Sequence, residues 1–415
     1  MESRPTRAAA RDASAVMPEL ALKPPVQPRP LPEGVAFETI CSHYADDPSA
    51  HFGAAAPPIY QTSTFIYPDL DAWERRRSAA SPHYDYTRVG NPTTQILEAK
   101  LATLERGDWC DCFGSGMGAI SAAIQATVES GAHVVCVAQA YGPTRWFLTH
   151  LERFGISTTY VHGDTTADYL DAIRPETRLI YLESPTSGRM DVPAIEPITR
   201  EARVRGIATI FDNSWASPYF QNPLELGVDL VLHSISKYIN GHSDVIAGCV
   251  IGRNGPLRAR VAKEVELAGA TLDPHAAWLI LRGLRTLPVR MQAHQQSALA
   301  VARILAEHPA VAKVMHPGLP THPHHATACR QLRGWSGLFS FALRDQTKAA
   351  MNRFLSQLRL FGVGVSWGGF ESLALGGTFF RSRPGEPEWV VRMSIGLENA
   401  ADLVADVRQA LEPSH

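Results

Sequence analysis

Short apolar runs alternate with longer segments of helical periodicity from about residue 90 onward. The apolar runs are residues 133–139, 178–184, 208–213 and 229–234, and the helical segments are residues 117–129, 141–154 and 194–206. Strands of four to seven residues separated by helices of ten or more indicate parallel βαβ units. Because the strand runs are apolar throughout, both faces of their sheet should be covered. The pattern therefore predicts an α/β fold, with a mostly parallel central sheet and helices on both faces.

The pattern changes in the last third of the chain. A long helix is predicted over residues 291–308, followed by strands at 337–343 and 389–397 and a helix at 347–358. This mixture is typical of a smaller α+β domain. Residues 1–34 are rich in Pro, Ala and Arg and lack periodicity, which predicts a disordered arm. We place the α/β domain at residues 86–286 and the C-terminal domain at residues 287–415.

Composition narrows the class of protein. Apolar residues make up 45% of the chain and the net charge is −2, which suits a globular protein and argues against nucleic-acid or membrane partners. The N-terminal segment lacks the apolar core of a secretory signal, so we expect a cytoplasmic protein. The six cysteines are scattered and predict no disulfide framework. We interpret the four histidines between residues 316 and 325 as a solvated loop and expect no metal site.

Lys237 follows an apolar strand directly, in the segment SISKYINGHSD. A lysine that is partly desolvated at such a position is a candidate nucleophile for a carbonyl group. The simpler interpretation is a strand that has ended and a lysine that reaches solvent. Ser234 and Ser236 favour the first interpretation, because their hydroxyls are able to bind a phosphate.

Asp212 ends the preceding apolar strand, in FDNSWASP. Ligands of open α/β sheets bind at the carboxyl ends of the strands, where Asp212 and Lys237 would both lie. A carboxylate there could cap a turn, or it could hold the proton of a pyridine-ring cofactor.

The glycine-rich segment FGSGMGAI precedes a predicted helix. Glycines let backbone amides approach an anion, and the helix N-terminus adds favourable partial charge. The G-x-G-x-G spacing does not fit a dinucleotide-binding fingerprint. A phosphate site is the better interpretation.

These segments resemble the motifs of a known family. SISKYINGHSD, FDNSWASP, GSGMGAI, QAYGPTR and YTRVGNPTT are similar to motifs of the family that contains cystathionine β- and γ-lyases, cystathionine γ-synthases and methionine γ-lyases. These are fold-type I enzymes that depend on pyridoxal 5'-phosphate, and the resemblance runs from about residue 60 to residue 411. It implies that cofactor, a small thioether amino acid as substrate, and a homo-oligomer that is a dimer of dimers, hence a homotetramer.

The resemblance also implies roles for individual residues. Lys237 would carry the cofactor and move the Cα proton, Asp212 would pair with the ring nitrogen, and Tyr141 would stack on the ring. The phosphate would be bound by four residues of this chain and two of the neighbouring subunit, namely Gly116, Met117, Ser234 and Ser236, with Tyr86 and Arg88. Residues 35–85 would contribute to that neighbouring subunit.

Substrate binding is implied for four residues. Arg392 would bind the substrate carboxylate through a bidentate fork. Ser366 and Trp367, in SWGGFESL, would line the substrate site together with Tyr86.

The reaction implied by SWGGFESL and by Trp215 is that of a cystathionine β-lyase. Such an enzyme releases homocysteine, pyruvate and ammonia by α,β-elimination and serves methionine biosynthesis and transsulfuration. VGNPTT and YINGHSD resemble the γ-acting relatives more closely, so a methionine or cystathionine γ-lyase, or a sulfhydrylase acting on a homoserine ester, is the alternative. A non-catalytic, regulatory cofactor-binding protein ranks below both.

Overall fold

The computed structural model describes residues 31–32, 34–77, 83–378 and 388–412. The arm predicted over residues 1–34 lies almost wholly outside these ranges. Within the described residues the helices are α1 Phe37–His43, α2 Leu70–Glu74, α3 Pro92–Leu104, α4 Gly116–Thr127, α5 Gly142–Leu151, α6 Thr166–Leu170, α7 Ile195–Val204, α8 Ser217–Phe220, α9 Pro256–Ala268, α10 Pro274–Leu284, α11 Leu287–Glu307, α12 His325–Gln331, α13 Lys348–Gln357 and α14 Ala400–Leu411. The strands are β1 Trp109–Phe113, β2 His133–Val137, β3 Ser157–Val161, β4 Thr177–Glu183, β5 Ala208–Asp212, β6 Leu230–His233, β7 Gly248–Gly252, β8 Val311–Met315, β9 Leu338–Leu343, β10 Gly362–Val363, β11 Leu373–Gly377 and β12 Val390–Ser394.

The larger sheet contains seven strands in the order β1-β7-β6-β5-β4-β2-β3. The five strands from β6 to β3 are parallel, and β7 runs antiparallel to both of its neighbours. Every residue of β1, β2, β6 and β7 is buried, as expected for a sheet that is covered on both faces. The prediction of a mostly parallel sheet between helices is therefore confirmed.

The smaller sheet has the order β10-β11-β12-β9-β8 and is antiparallel except for the β10–β11 pair. It forms its own hydrophobic cluster with α11, α13 and α14. Helix α11 contributes Leu287 and Met291 to the cluster of the large sheet, and Val301 and Leu305 to the cluster of the small sheet. One long helix thus joins the two cores.

The histidine-rich segment differs from our expectation of a solvated loop. His316 and His322 are buried, and His316 packs against the rings of Trp335 and Phe339. The His316 imidazole therefore fills space beside the small sheet, and His322 is buried as well. In the described ranges no helix is long and apolar enough to span a membrane.

Candidate active site

The candidate site lies at the carboxyl ends of β4, β5 and β6. Glu183 ends β4 and pairs in register with Asp212, which ends β5. Lys237 follows β6 after a turn in which its N–H donates to the Ser234 carbonyl over 3.1 Å. Since parallel strands end at the same edge of a sheet, the topology brings the acid and the amine to one cleft.

The backbone after Lys237 is held by a buried arginine. Arg290 donates from Nη1 to the Tyr238 carbonyl over 2.6 Å and from Nη2 to the Ile239 carbonyl over 3.3 Å. Gly241 has φ +72°, and a Cβ there would lie 1.9 Å from the Arg290 guanidinium. The turn that carries Lys237 is therefore held by the Arg290 guanidinium, and Gly241 leaves room for that guanidinium.

The Lys237 amine lies in the cleft between the two domains. Its Nζ donates to Ser366 Oγ over 2.9 Å and lies 5.3 Å from the centre of the Trp367 ring. Burial lowers the pKa of Lys237 from 10.5 to about 8, and Arg392 acts in the same direction while Asp212 opposes both. A substantial fraction of this amine is consequently neutral and nucleophilic near pH 8.

Asp212 is a buried carboxylate. Its Oδ1 accepts a hydrogen bond from the Ser214 N–H over 3.0 Å. Burial raises the pKa of Asp212, while the Ser214 hydrogen bonds and the charges of His233 and Lys237 oppose the rise. A buried acid of this kind gains most from a cationic partner in the cleft.

The glycine-rich segment at the start of α4 lies beside Ser234, which follows β6. Ser115 caps α4 by accepting from the Gly118 N–H over 2.9 Å, so the first amides of the helix, those of Gly116 and Met117, point out of its N-terminus. A Cβ on Gly116 would lie 3.0 Å from Ser234 Oγ, which shows how closely these two segments approach. Ser234 N–H donates to Ser214 Oγ over 2.6 Å.

Ser236 is placed differently from Ser234. Its Oγ accepts from the Ala247 N–H over 2.9 Å and donates to the Ala247 carbonyl over 3.2 Å. The hydroxyl is therefore already engaged with the backbone of Ala247, just before β7, and its predicted contact with a phosphate stays a prediction.

Tyr141 stands at the start of α5 and its side chain is 47% exposed. Burial of the phenol and the charge of Asp212 raise its pKa, against the influence of Arg392. Arg392, on β12, donates from Nη2 to the Val365 carbonyl over 2.8 Å. Burial lowers the pKa of Arg392, while Glu183 and Tyr141 oppose this. Tyr141 and Arg392 thus belong to the same cleft as Asp212 and Lys237.

Tyr86 and Arg88 lie outside the group formed by Lys237, Asp212, Tyr141 and Arg392. Arg88 donates to the Glu266 carbonyl near the end of α9, and its guanidinium lies 5.9 Å from the Tyr86 ring centre. Both side chains are exposed. In the described part of the chain neither forms a hydrogen bond with Lys237, Asp212 or Tyr141, so their predicted phosphate role would need a second subunit.

Glu183 is the site residue that we did not predict. It ends an apolar strand at the same sheet edge as Asp212, so the argument that selected Asp212 applies to it equally. Its Oε2 accepts from the Tyr141 N–H over 2.7 Å. The signal is present in the apolar run RLIYLE, which ends on this glutamate.

This set of groups fits pyridoxal phosphate. A lysine amine of lowered pKa suits its aldehyde, a buried carboxylate suits its ring nitrogen, and an exposed phenol ring suits its flat face. The backbone N–H groups at the start of α4, which lie beside Ser234, suit its phosphate.

Comparison with known proteins agrees with this fit. Residues 38–412 match the family model described as "Cys/Met metabolism PLP-dependent enzyme". An L-methionine gamma-lyase of Pseudomonas deceptionensis is 38% identical over 91% of this chain and 97% of its own length. A cystathionine gamma-synthase of Mycobacterium bovis is also 38% identical, over 91% and 97%. The crystal structure of metB from Corynebacterium glutamicum superposes with a TM-score of 0.84 at 33% identity, over 91% of this chain and 98% of that one.

Proposed function

The chain belongs to the Cys/Met metabolism family of pyridoxal-phosphate-dependent enzymes, and on that basis we propose that it cleaves the Cγ–S bond of a thioether amino acid such as L-methionine or L-cystathionine. Membership of this carbon–sulfur lyase family makes pyridoxal phosphate its cofactor. The observation that carries the proposal is the Lys237 amine, whose pKa burial lowers to about 8 in a cleft shared with Asp212 and Arg392. The choice of Cγ rests on the relatives, whose names are those of γ-acting enzymes. They support this alternative better than the β-lyase expected from SWGGFESL.

The bound cofactor supplies an electron sink for the carbanion formed at the substrate Cα. Asp212 would keep a proton on the ring nitrogen, and the same pairing would compensate the buried Asp212 charge. Arg392 would bind the substrate carboxylate and so direct the Cα–H bond toward Lys237. Ser366 accepts a hydrogen bond from Lys237 Nζ and would orient the amine between proton transfers.

Cleavage at Cγ requires a second proton to be removed, this time from Cβ. The neutral Lys237 amine would be the general base for both steps, and it would have to give up the Cα proton to the bound cofactor before it takes the proton from Cβ. The phenol of Tyr141, whose pKa is raised by its surroundings, stays protonated near neutrality and would protonate the departing thiolate. Elimination would then release a thiol, and hydrolysis would give a 2-oxo acid and ammonia.

One observation favours β-elimination as a second candidate. Ser366 and Trp367, the first residues of SWGGFESL, are the groups that contact Lys237 Nζ. The part of the sequence that resembles β-lyases therefore lies against the base itself. With L-cystathionine, β-elimination would give pyruvate and homocysteine.

The test is a turnover assay of the holoenzyme with L-methionine and with L-cystathionine, in which the 2-oxo acid is identified by mass spectrometry. We expect 2-oxobutyrate from both substrates, with cysteine as the thiol from cystathionine. Pyruvate with homocysteine would replace the γ-lyase proposal by the β-lyase candidate. No thiol and no oxo acid from either substrate would overturn the lyase proposal.

A further inference from the structure

We infer that Glu183 is a positioning residue that holds Tyr141 against the reacting cleft by accepting the hydrogen bond of its backbone amide. The inference rests on the proposed site, in which the Tyr141 ring lies over the cofactor. It concerns a residue at the end of β4 that touches neither Lys237 nor Ser366 through any hydrogen bond in the described ranges.

The contact acts on the residue at the start of α5. Tyr141 N–H donates to Glu183 Oε2 over 2.7 Å, and Tyr141 has a non-helical backbone with φ −41° and ψ 128°. The Tyr141 side chain provides no cap of its own to the helix. The backbone N–H of Tyr141 thus finds its partner in another element, whereas its carbonyl accepts from the first turn of α5.

Glu183 also joins two loops of the cleft. Its Oε1 accepts a hydrogen bond from the Ser187 hydroxyl, and Ser187 N–H donates to the Gln139 carbonyl over 3.1 Å. One carboxylate thus connects the loop after β2, which carries Tyr141, with the loop after β4. Movement of either loop would move the phenol relative to Asp212 and Lys237.

The charge environment shows why a glutamate at this position needs these donors. Glu183 is 7% exposed and is the in-register neighbour of Asp212. Burial raises the pKa of Glu183 to about 8, with Asp212 acting in the same direction. Two buried carboxyl groups side by side disfavour each other's ionisation, and packing alone does not offset this cost. The Tyr141 amide and the Ser187 hydroxyl are the interactions that compensate it.

Two substitutions separate positioning from other roles. Glu183→Gln keeps an oxygen that accepts from the Tyr141 amide, whereas Glu183→Ala removes it. We expect Glu183→Ala to lower kcat by about 10- to 100-fold, as a small displacement of a catalytic group does. We also expect it to change the visible circular dichroism of the bound cofactor, which reports the ring's surroundings. Glu183→Gln should keep kcat within about threefold of the wild-type value and should keep the dichroism close to that of wild type.

The control is Glu196→Ala, which removes an exposed glutamate from the first turn of α7. Its dichroism should match that of wild type. Wild-type dichroism and kcat in Glu183→Ala would overturn the inference, as would equal loss in the Gln and Ala variants, which would indicate a role of charge.

Hydrogen exchange provides a measurement that does not depend on the Ala variant folding. In wild type and in Glu183→Gln, the peptide containing Tyr141 should retain one slowly exchanging amide at the start of α5. Fast exchange in both would overturn the inference. Neither dichroism nor exchange requires turnover, so failure of the lyase proposal would leave this test readable.

Discussion

At the scale of single residues, the fold lowers the pKa of the Lys237 amine toward neutrality. Burial, reinforced by the charge of Arg392, outweighs the attraction of Asp212 and lowers the pKa to about 8. An ordinary lysine, with a pKa near 10.5, would be almost wholly protonated at neutral pH. The structure therefore prepares this side chain for attack on an aldehyde before any ligand is bound.

The pH dependence of cofactor incorporation tests this preparation. Only the neutral amine attacks the aldehyde, so the rate of incorporation into apoenzyme should rise with pH and level off above a midpoint of about 8. The rate is measured by stopped-flow absorbance at several pH values. A rate that keeps rising toward pH 10 would mean that Lys237 behaves as an exposed lysine.

The sequence predicted Asp212 and Lys237 because the first ends an apolar strand and the second comes soon after one, which places both at the ligand-binding edge. Glu183 meets the same criterion, and only its contact with Tyr141, made by residues 42 positions apart, distinguishes it from a turn residue. The engagement of Ser236 with Ala247 likewise depends on the path of the chain after β6. Long-range contacts of this kind leave no local pattern.

At the scale of elements, the strands predicted from apolar runs are those in the middle of the large sheet. β1, β3 and β7 were missed for separate reasons. β1 contains Asp111, which pairs with Arg258, and β3 is a partly exposed edge strand of sequence STTYV. β7 is bounded by glycines at both ends. None of these shows the uniformly apolar pattern of a strand buried on both faces.

The buried histidines of α11 and of the histidine-rich segment make stability depend on pH. Burial lowers the pKa of His294 and His322 to about 4 and that of His316 to about 3, from 6.5. Below pH 6.5 the unfolded chain takes up protons that the folded chain does not, so the free energy of unfolding falls as the pH is lowered. Each histidine contributes up to about 1.4 kcal/mol per pH unit over this window.

Urea denaturation between pH 7 and pH 4.5 measures this dependence. His316→Gln should reduce the slope of the unfolding free energy against pH by up to about 1.4 kcal/mol per pH unit. The exposed His150, at the end of α5, provides the matched control, and His150→Gln should leave the slope unchanged. A slope that His316→Gln does not alter would mean that His316 is protonated in the folded protein.

At the scale of the whole molecule, the residues predicted to bind the phosphate do not all meet within one chain. Gly116, next to Met117 at the start of α4, lies beside Ser234, whereas Arg88 contacts the end of α9 and Tyr86 lies beside Arg88. An oligomer in which each site uses two chains would reconcile the two groups. The sequence alone does not contain this information, because pattern and motif do not say which copy of a residue enters a site.

Subunit complementation tests whether Arg88 acts across subunits. Lys237→Ala and Arg88→Ala should each be nearly inactive, whereas a mixture refolded together should recover about a quarter of wild-type activity, because mixed dimers contain one intact site. The measurement is the turnover of mixtures in which the ratio of the Arg88→Ala chain to the Lys237→Ala chain is increased. If the mixture is as inactive as the two single variants, Arg88 serves the site of its own chain, the one that contains Lys237 of the same subunit.

The most direct test of the site is to find where the cofactor is attached. Holoenzyme is treated with borohydride, which fixes the bond between cofactor and lysine, and is then digested and sequenced by mass spectrometry. We expect the added mass on Lys237 alone, and no added mass and no visible absorbance in Lys237→Ala. A modified lysine elsewhere, or an unchanged spectrum in Lys237→Ala, would contradict the assignment of this cleft as the active site.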